Sequence, residues 1–190
     1  MLKRILLTLA LALAMVPAHA GVVRDMYLEE IIDGAAVAFE GTVIENRAAR
    51  DPDSGAIVTY TTFVVHEGLK GKADATHTIK QIGGEIPGEG GYKVDVRTTF
   101  TVGHSYVVFL YGKSSWGFSS PVGSTQGSFA VVDDANGAAV SNGRDFGDLT
   151  KRMASDQAKA KSLPKARADG KKVGLEEFKQ LVRARTEVAK

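Results

Sequence analysis

The chain has no cysteine among its 190 residues. That excludes a disulfide framework, an anchor on a lipidated N-terminal cysteine, and any metal site built on thiolates. Stability must come from a hydrophobic core, which a chain of this length can form without cross-links. Tryptophan occurs once and aromatic residues make up only 7%. In the basic end, residues 150–190, Phe178 is the one aromatic, so the interleaved stacking surface of a single-strand nucleic-acid binder is missing there. The one long apolar run, residues 5–16, falls well short of the roughly 20 residues that span a bilayer as a helix. Catalytic signatures are also missing. There is no HExxH, the glycines at 83, 84, 88, 90 and 91 match neither a P-loop nor a strand-bound GxGxxG, and Ser124 in Gly123-Ser-Thr-Gln-Gly127 is no nucleophile elbow. No enzyme activity and no cofactor are expected.

What the chain does have begins at residue 1. Lys3 and Arg4 precede the apolar run, Pro17 follows it, and Ala18-His-Ala20 places small residues before Gly21. This is the layout of a secretory signal peptide over residues 1–20. The expectation is an exported chain starting at Gly21, periplasmic or extracellular, with no further transmembrane segment. The net charge of +2 conceals an asymmetry. Residues 21–149 hold 10 Lys+Arg against 17 Asp+Glu, a net of −7, and residues 150–190 hold 12 against 5, a net of +7. An acidic body argues against nucleic acid, because phosphate binding needs a positive groove. The basic end is expected to lie against its own acidic body or in solvent.

The periodicity changes along the chain. Tyr27, Leu28, Ile31 and Ile32 recur at helical spacing within 25–33, with Gly34 as a stop. Strands are expected at 37–44, 57–66, 76–82 and 105–111, with weaker ones within 92–100, 116–122, 128–132 and 139–141. Residues 147–172 read as a basic linker or weakly held helix. Leu175, Phe178, Leu181 and Val182 form the apolar face of a final amphipathic helix. The fold class expected is all-β with minor α: a five- to six-stranded antiparallel OB-like barrel, with a short N-terminal helix and a C-terminal helical tail. The barrel domain is placed at 21–146 and the linker and helix at 147–190.

Several segments carry a resemblance. Leu28-Glu-Glu with Val37-Ala-Phe-Glu-Gly-Thr-Val43, then 59–71 ending Glu67-Gly-Leu-Lys-Gly71, Ile82-Gly-Gly84, 100–110 around Gly103-His104-Ser105, and Gly127-Ser-Phe-Ala-Val131 look like a group of uncharacterised exported bacterial proteins. Those proteins have an OB-like barrel similar to netrin-like modules and the tissue inhibitors of metalloproteinases. The resemblance covers roughly residues 25–132 and rests on framework segments. It implies a non-catalytic protein that binds another exported protein, with a metalloprotease as one candidate. The animal inhibitors chelate the protease zinc through an N-terminal cysteine, which this chain lacks; the amine and carbonyl of Gly21 offer comparable chelating chemistry.

Two other readings stand beside this one. The loop 83–97 offers Ile86, Pro87 and Tyr92, and the loop around 116 offers Trp116 and Phe118. Long connections on a rigid scaffold are common binding surfaces, so these residues are candidates for a protein partner or for a carbohydrate or small ligand. The two loops are expected to lie side by side. The third reading is a metal site on His66, His77 and His104, which fall at expected strand ends.

Overall fold

The computed structural model describes residues 24–94, 97–156 and 160–188. The segment 1–20 expected as a signal peptide, and Gly21, lie outside the described residues. The protein is β-rich, and the described residues form a seven-stranded antiparallel sheet, a two-stranded sheet and three helices. The strands of the large sheet are β1 (Val37–Arg50), β2 (Ile57–Lys70), β3 (Thr76–Ile82), β6 (Ser105–Leu110), β7 (Ser128–Asp134), β8 (Gly137–Ser141) and β9 (Val173–Gly174). Their order is β3-β2-β1-β6-β7-β8-β9. The small sheet is the hairpin of β4 (Gly84–Ile86) and β5 (Gly90–Tyr92). The helices are α1 (Leu28–Gly34), α2 (Phe146–Ala154) and α3 (Leu175–Val188).

Both faces of the central strands are buried, for a reason visible in their residues. In β6, Val107 and Phe109 point to one side, and Tyr106, Val108 and Leu110 to the other. The first side packs against the helices: Leu28, Ile31 and Ile32 of α1, Leu149 and Met153 of α2, and Phe178, Leu181 and Val182 of α3 share one core with Ala38, Val107 and Phe129. The second side holds Phe39, Val43, Phe63, Ile79 and Phe100. There Phe63, Phe100 and Tyr106 contact edge-to-face in sequence at 5.1 Å. Register shifts between β1 and β2 at Ala38/Phe39, Glu40/Gly41 and Val43/Glu45 bend this pair. Gly41 sits in that stretch, and a Cβ there would stand 2.6 Å from the Val64 carbonyl oxygen.

The strand ladders do not close into the expected barrel. After β6 the chain extends the sheet through β7, β8 and β9, and the helices rather than a returning strand cover the exposed face. Among the described residues β3 and β9 remain unpaired with each other. The gap between β3 and β6 is crossed instead by coil: Leu110 bridges Pro121, Tyr111 N donates to Ser120 O at 3.1 Å, and Ser119 N donates to Lys80 O at 3.0 Å. The segment expected as a strand within 116–122 is this spanning coil. Asp145 caps α2 by accepting from Asp148 N at 3.1 Å, so part of the expected linker is a docked helix.

The basic C-terminal part answers the acidic body pair by pair. Arg152 meets Glu29 and Glu30, Arg167 meets Asp134, Arg183 meets Glu67, and Arg185 meets Asp33. Lys179, only 5% exposed, bonds Glu40 at 2.8 Å, Glu67 at 2.9 Å and Glu176 at 2.5 Å. Burial depresses its pKa, but the hydrogen bonds it donates to Glu176 and Glu40 outweigh that and leave it raised. No helix among the described residues is long and apolar enough to cross a membrane.

Candidate functional site

The coil that spans β6 and β3 also builds a cleft. Ser114 and Phe118 hold its turn reciprocally, Ser114 N donating to Phe118 O at 2.9 Å and Phe118 N to Ser114 Oγ at 3.0 Å. The turn lifts Trp116 to 58% exposure and lays Phe118 against β3, with Lys80 Nζ 4.9 Å from the ring centroid. On the opposite side, Gly83 ends β3 at φ +87°, where a Cβ would stand 2.9 Å from Val94 Cγ2. That tight exit brings Val94, Arg97 and Thr98 back over the strand. Between the two loops lies a cleft of about 350 Å3, floored by Lys80, Gln81 and Ile82. The loops expected to be neighbours therefore line the same cleft from its two sides.

Four features distinguish this cleft chemically. Lys80, 8% exposed, is locked to the buried Asp51 at 2.8 Å, with Asp53 at 3.8 Å. Asp51 also accepts from Ser54 Oγ at 2.7 Å and Tyr60 Oη at 2.8 Å. The Lys80 hydrogen bond, followed by that of Ser54, holds the Asp51 pKa well below the carboxylate range, and the same bond raises Lys80. Second, Gln81 is 4% exposed and its Oε1 is buried without a hydrogen-bond partner. Third, Ser124 is the one non-glycine residue with positive φ (64°) among the described residues; Thr98 Oγ1 bonds its carbonyl at 2.9 Å. Fourth, the Arg97 guanidinium makes no hydrogen bond or ion pair among the described residues. Orphaned polar atoms and strained backbone are uncommon away from functional sites.

The sequence-expected residues distribute unevenly. Phe118 lines the cleft. Tyr92 lines a second, more polar depression under the β4–β5 hairpin, which Arg97 shares, and its hydroxyl donates to Ile57 O at 3.1 Å. Ile86 and Pro87 sit at the end of that hairpin and line neither. Trp116 is beside the cleft on the turn tip. Lys80, Gln81 and Arg97 escaped the sequence reading, and Ser124 was weighed there only as a nucleophile. Only a lysine set between the apolar side chains of a strand, Ile79-Lys-Gln-Ile82, hinted at them.

The three-histidine metal site does not form. His77 pairs with Phe63 and packs on Phe39 at 5.1 Å, so it belongs to the second core face. His66 is three residues beyond Phe63 and therefore points to the other face, where its Nε2 lies 2.7 Å from Thr42 Oγ1. His104 is exposed before β6. Among the described residues no group of three His, Asp or Glu side chains is placed to hold a metal ion. Burial, then the nearby Lys113, lowers the His77 pKa.

Comparison with protein-family models, with curated protein sequences and with solved structures returned no match.

Proposed function

We propose that this is an exported, non-catalytic binding protein whose ligand seat is the cleft between Val94, Arg97 and Thr98 on one side and Phe118, Ser119, Ser120 and Ser124 on the other. The observation that carries the reading is a concave recess with a mainly carbon surface into which Lys80, Gln81, Arg97 and Phe118 converge, with the unpartnered Gln81 Oε1 buried behind its wall. A concave, mainly apolar site with a few convergent polar groups is the usual form of a small-molecule site, and about 350 Å3 lies within the usual size range. Export rests on the charged, apolar and small-residue layout of residues 1–20. The OB-like relationship belongs to the same proposal. Its support is the β3-β2-β1-β6 order, with the 118–121 coil bonding to both outer strands of that set. The test is titration of the purified protein with the uncharged fluorophore phenylnaphthylamine, beside a Ser120→Trp variant that fills the exposed rim. One saturable site in the first protein and none in the second supports the reading; equal binding to both sinks it.

A protein partner is the second reading, favoured by the exposure of Trp116 and Tyr92 on the two loops that flank the cleft. It extends to the metalloprotease suggested by the family resemblance. A pull-down with residues 21–190 from periplasmic and secreted fractions tests it, and Trp116→Ala should remove a genuine partner.

A further inference from the structure

Resting on the reading of the cleft as a ligand seat, we infer that its ligand is a small organic monoanion, with an apolar body lying on Phe118 and an acidic head group at Arg97. The argument is one of charge and surface. Two cationic side chains line the cleft, Lys80 and Arg97. The charge of Lys80 is already matched by Asp51 at 2.8 Å and Asp53 at 3.8 Å. Arg97 has no such partner among the described residues. Glu85 shares the neighbouring depression with it, yet no ion pair joins them. A guanidinium at the mouth of an apolar recess attracts a planar anion such as a carboxylate, which it can grip with two parallel hydrogen bonds.

The remaining wall selects the rest of the molecule. Ile82, Val94 and Phe118 present carbon, while Gln81 supplies one amide near the floor. Four hydroxyl residues also line the cleft, but Thr98 Oγ1 already donates to Ser124 O and Ser119 Oγ to Tyr111 O, so a neutral sugar would bring many hydroxyls to a surface with few free partners, and each unpaired one carries a desolvation penalty. A phosphate dianion would face one free cation among the described residues, where such groups usually gather several donors. A body of rings or short aliphatic chain, one acidic head and one hydrogen-bonding group for Gln81 fits all these features together.

The experiment compares two fluorophores of nearly the same body, anilinonaphthalene sulfonate with one negative charge and uncharged phenylnaphthylamine, on the folded protein and on Arg97→Gln. Arg97 is unpartnered, so its replacement leaves the fold intact, which circular dichroism and the thermal midpoint confirm. Arg97→Gln should weaken the sulfonate about tenfold, the equivalent of one charged contact. It should leave phenylnaphthylamine within about twofold, since a lone rim charge acts on the anion only. Sulfonate binding should also weaken with added salt in the parent protein and not in the variant. If the sulfonate binds no better than phenylnaphthylamine, or Arg97→Gln weakens both alike, the anion assignment is overturned while the ligand seat survives. If neither fluorophore saturates one site, the seat and the anion assignment fall together.

Discussion

Lys80 stands between a buried carboxylate and an aromatic ring, its Nζ 2.8 Å from Asp51 Oδ1 and 4.9 Å from the centre of Phe118. The two partners come from different loops. Asp51 opens the β1–β2 turn and Phe118 belongs to the coil after β6. Lys80 therefore ties both to β3, at the seam where the sheet's hydrogen-bond ladders stop. Its backbone carbonyl does the same, accepting from Ser119 N. An ion pair, a ring contact and a main-chain bond together cover what would otherwise be the free edge of β3.

The Asp51–Lys80 pair should make stability acid-sensitive in a defined direction. The pKa of Asp51 is lowered on folding, so its contribution is present above the ordinary carboxylate value and is lost as pH falls through that value toward the folded one. Asp51→Asn removes the contribution at every pH. Urea midpoints of the two proteins should differ at pH 7 and draw together as pH falls below about 4. A gap that stays constant down the acid range would mean the pair contributes nothing through ionisation.

Lys179 is the mirror case under helix α3, where one buried ammonium serves Glu40, Glu67 and Glu176. Lys179→Met leaves the half-buried Glu40 without its cation. That should cost about 3 kcal/mol, the lower end for breaking a buried pair, because Glu67 and Glu176 can still reach water. Adding Glu40→Gln should restore part of the loss, since the two residues are directly coupled. Chemical denaturation of the two single variants and the double variant measures this. Additive losses would show that the network is not a unit.

Much of the sheet was legible because period-two alternation dominates it. The run Tyr106-Val-Val-Phe-Leu110 signalled a strand buried on both faces, and β6 is the centre of the seven. Closure was not legible. Whether a strand order ends in a barrel or continues depends on long-range pairing, and β7 to β9 carried only weak local signals. The Phe146–Ala154 helix was obscured by the Lys-, Ala- and Ser-rich stretch that follows it, although Phe146, Leu149 and Met153 are all buried. The loops of the cleft were read correctly as neighbours. Its chemistry was not, because the partnership of Lys80 with Asp51 joins residues 29 positions apart. The histidines misled for the opposite reason: nearness in sequence concealed that residues 63 and 66 face opposite sides of β2.

Ser124 offers a test of strain at the cleft. Its φ of 64° costs a side-chain-bearing residue energy that glycine avoids. Ser124→Gly should hold stability or raise it by up to about 1 kcal/mol, the relief of strain being offset by the freer unfolded chain. Ser124→Val should lose more than about 1 kcal/mol, since branching at Cβ makes this conformation harder still. Thermal unfolding of both variants decides it. A valine variant as stable as the glycine variant would show that the turn relaxes without cost.

The final prediction separates stability from binding at a single atom. Gln81 Oε1 is buried without a partner, a situation that costs about 1–3 kcal/mol relative to a satisfied or absent polar group. Methionine matches the length of the side chain and removes the amide. Gln81→Met should therefore raise the unfolding free energy by about 1 kcal/mol, even though it alters a residue of the proposed ligand seat. Ligands that use the amide should bind more weakly to this variant, while phenylnaphthylamine, which needs only apolar surface, should bind as before. A stabilised protein with weakened polar recognition is the outcome expected if the orphaned amide is kept for a ligand. A destabilised Gln81→Met would instead mean that the amide is satisfied within the folded protein, for example by bound water, and would remove one observation on which the ligand seat depends.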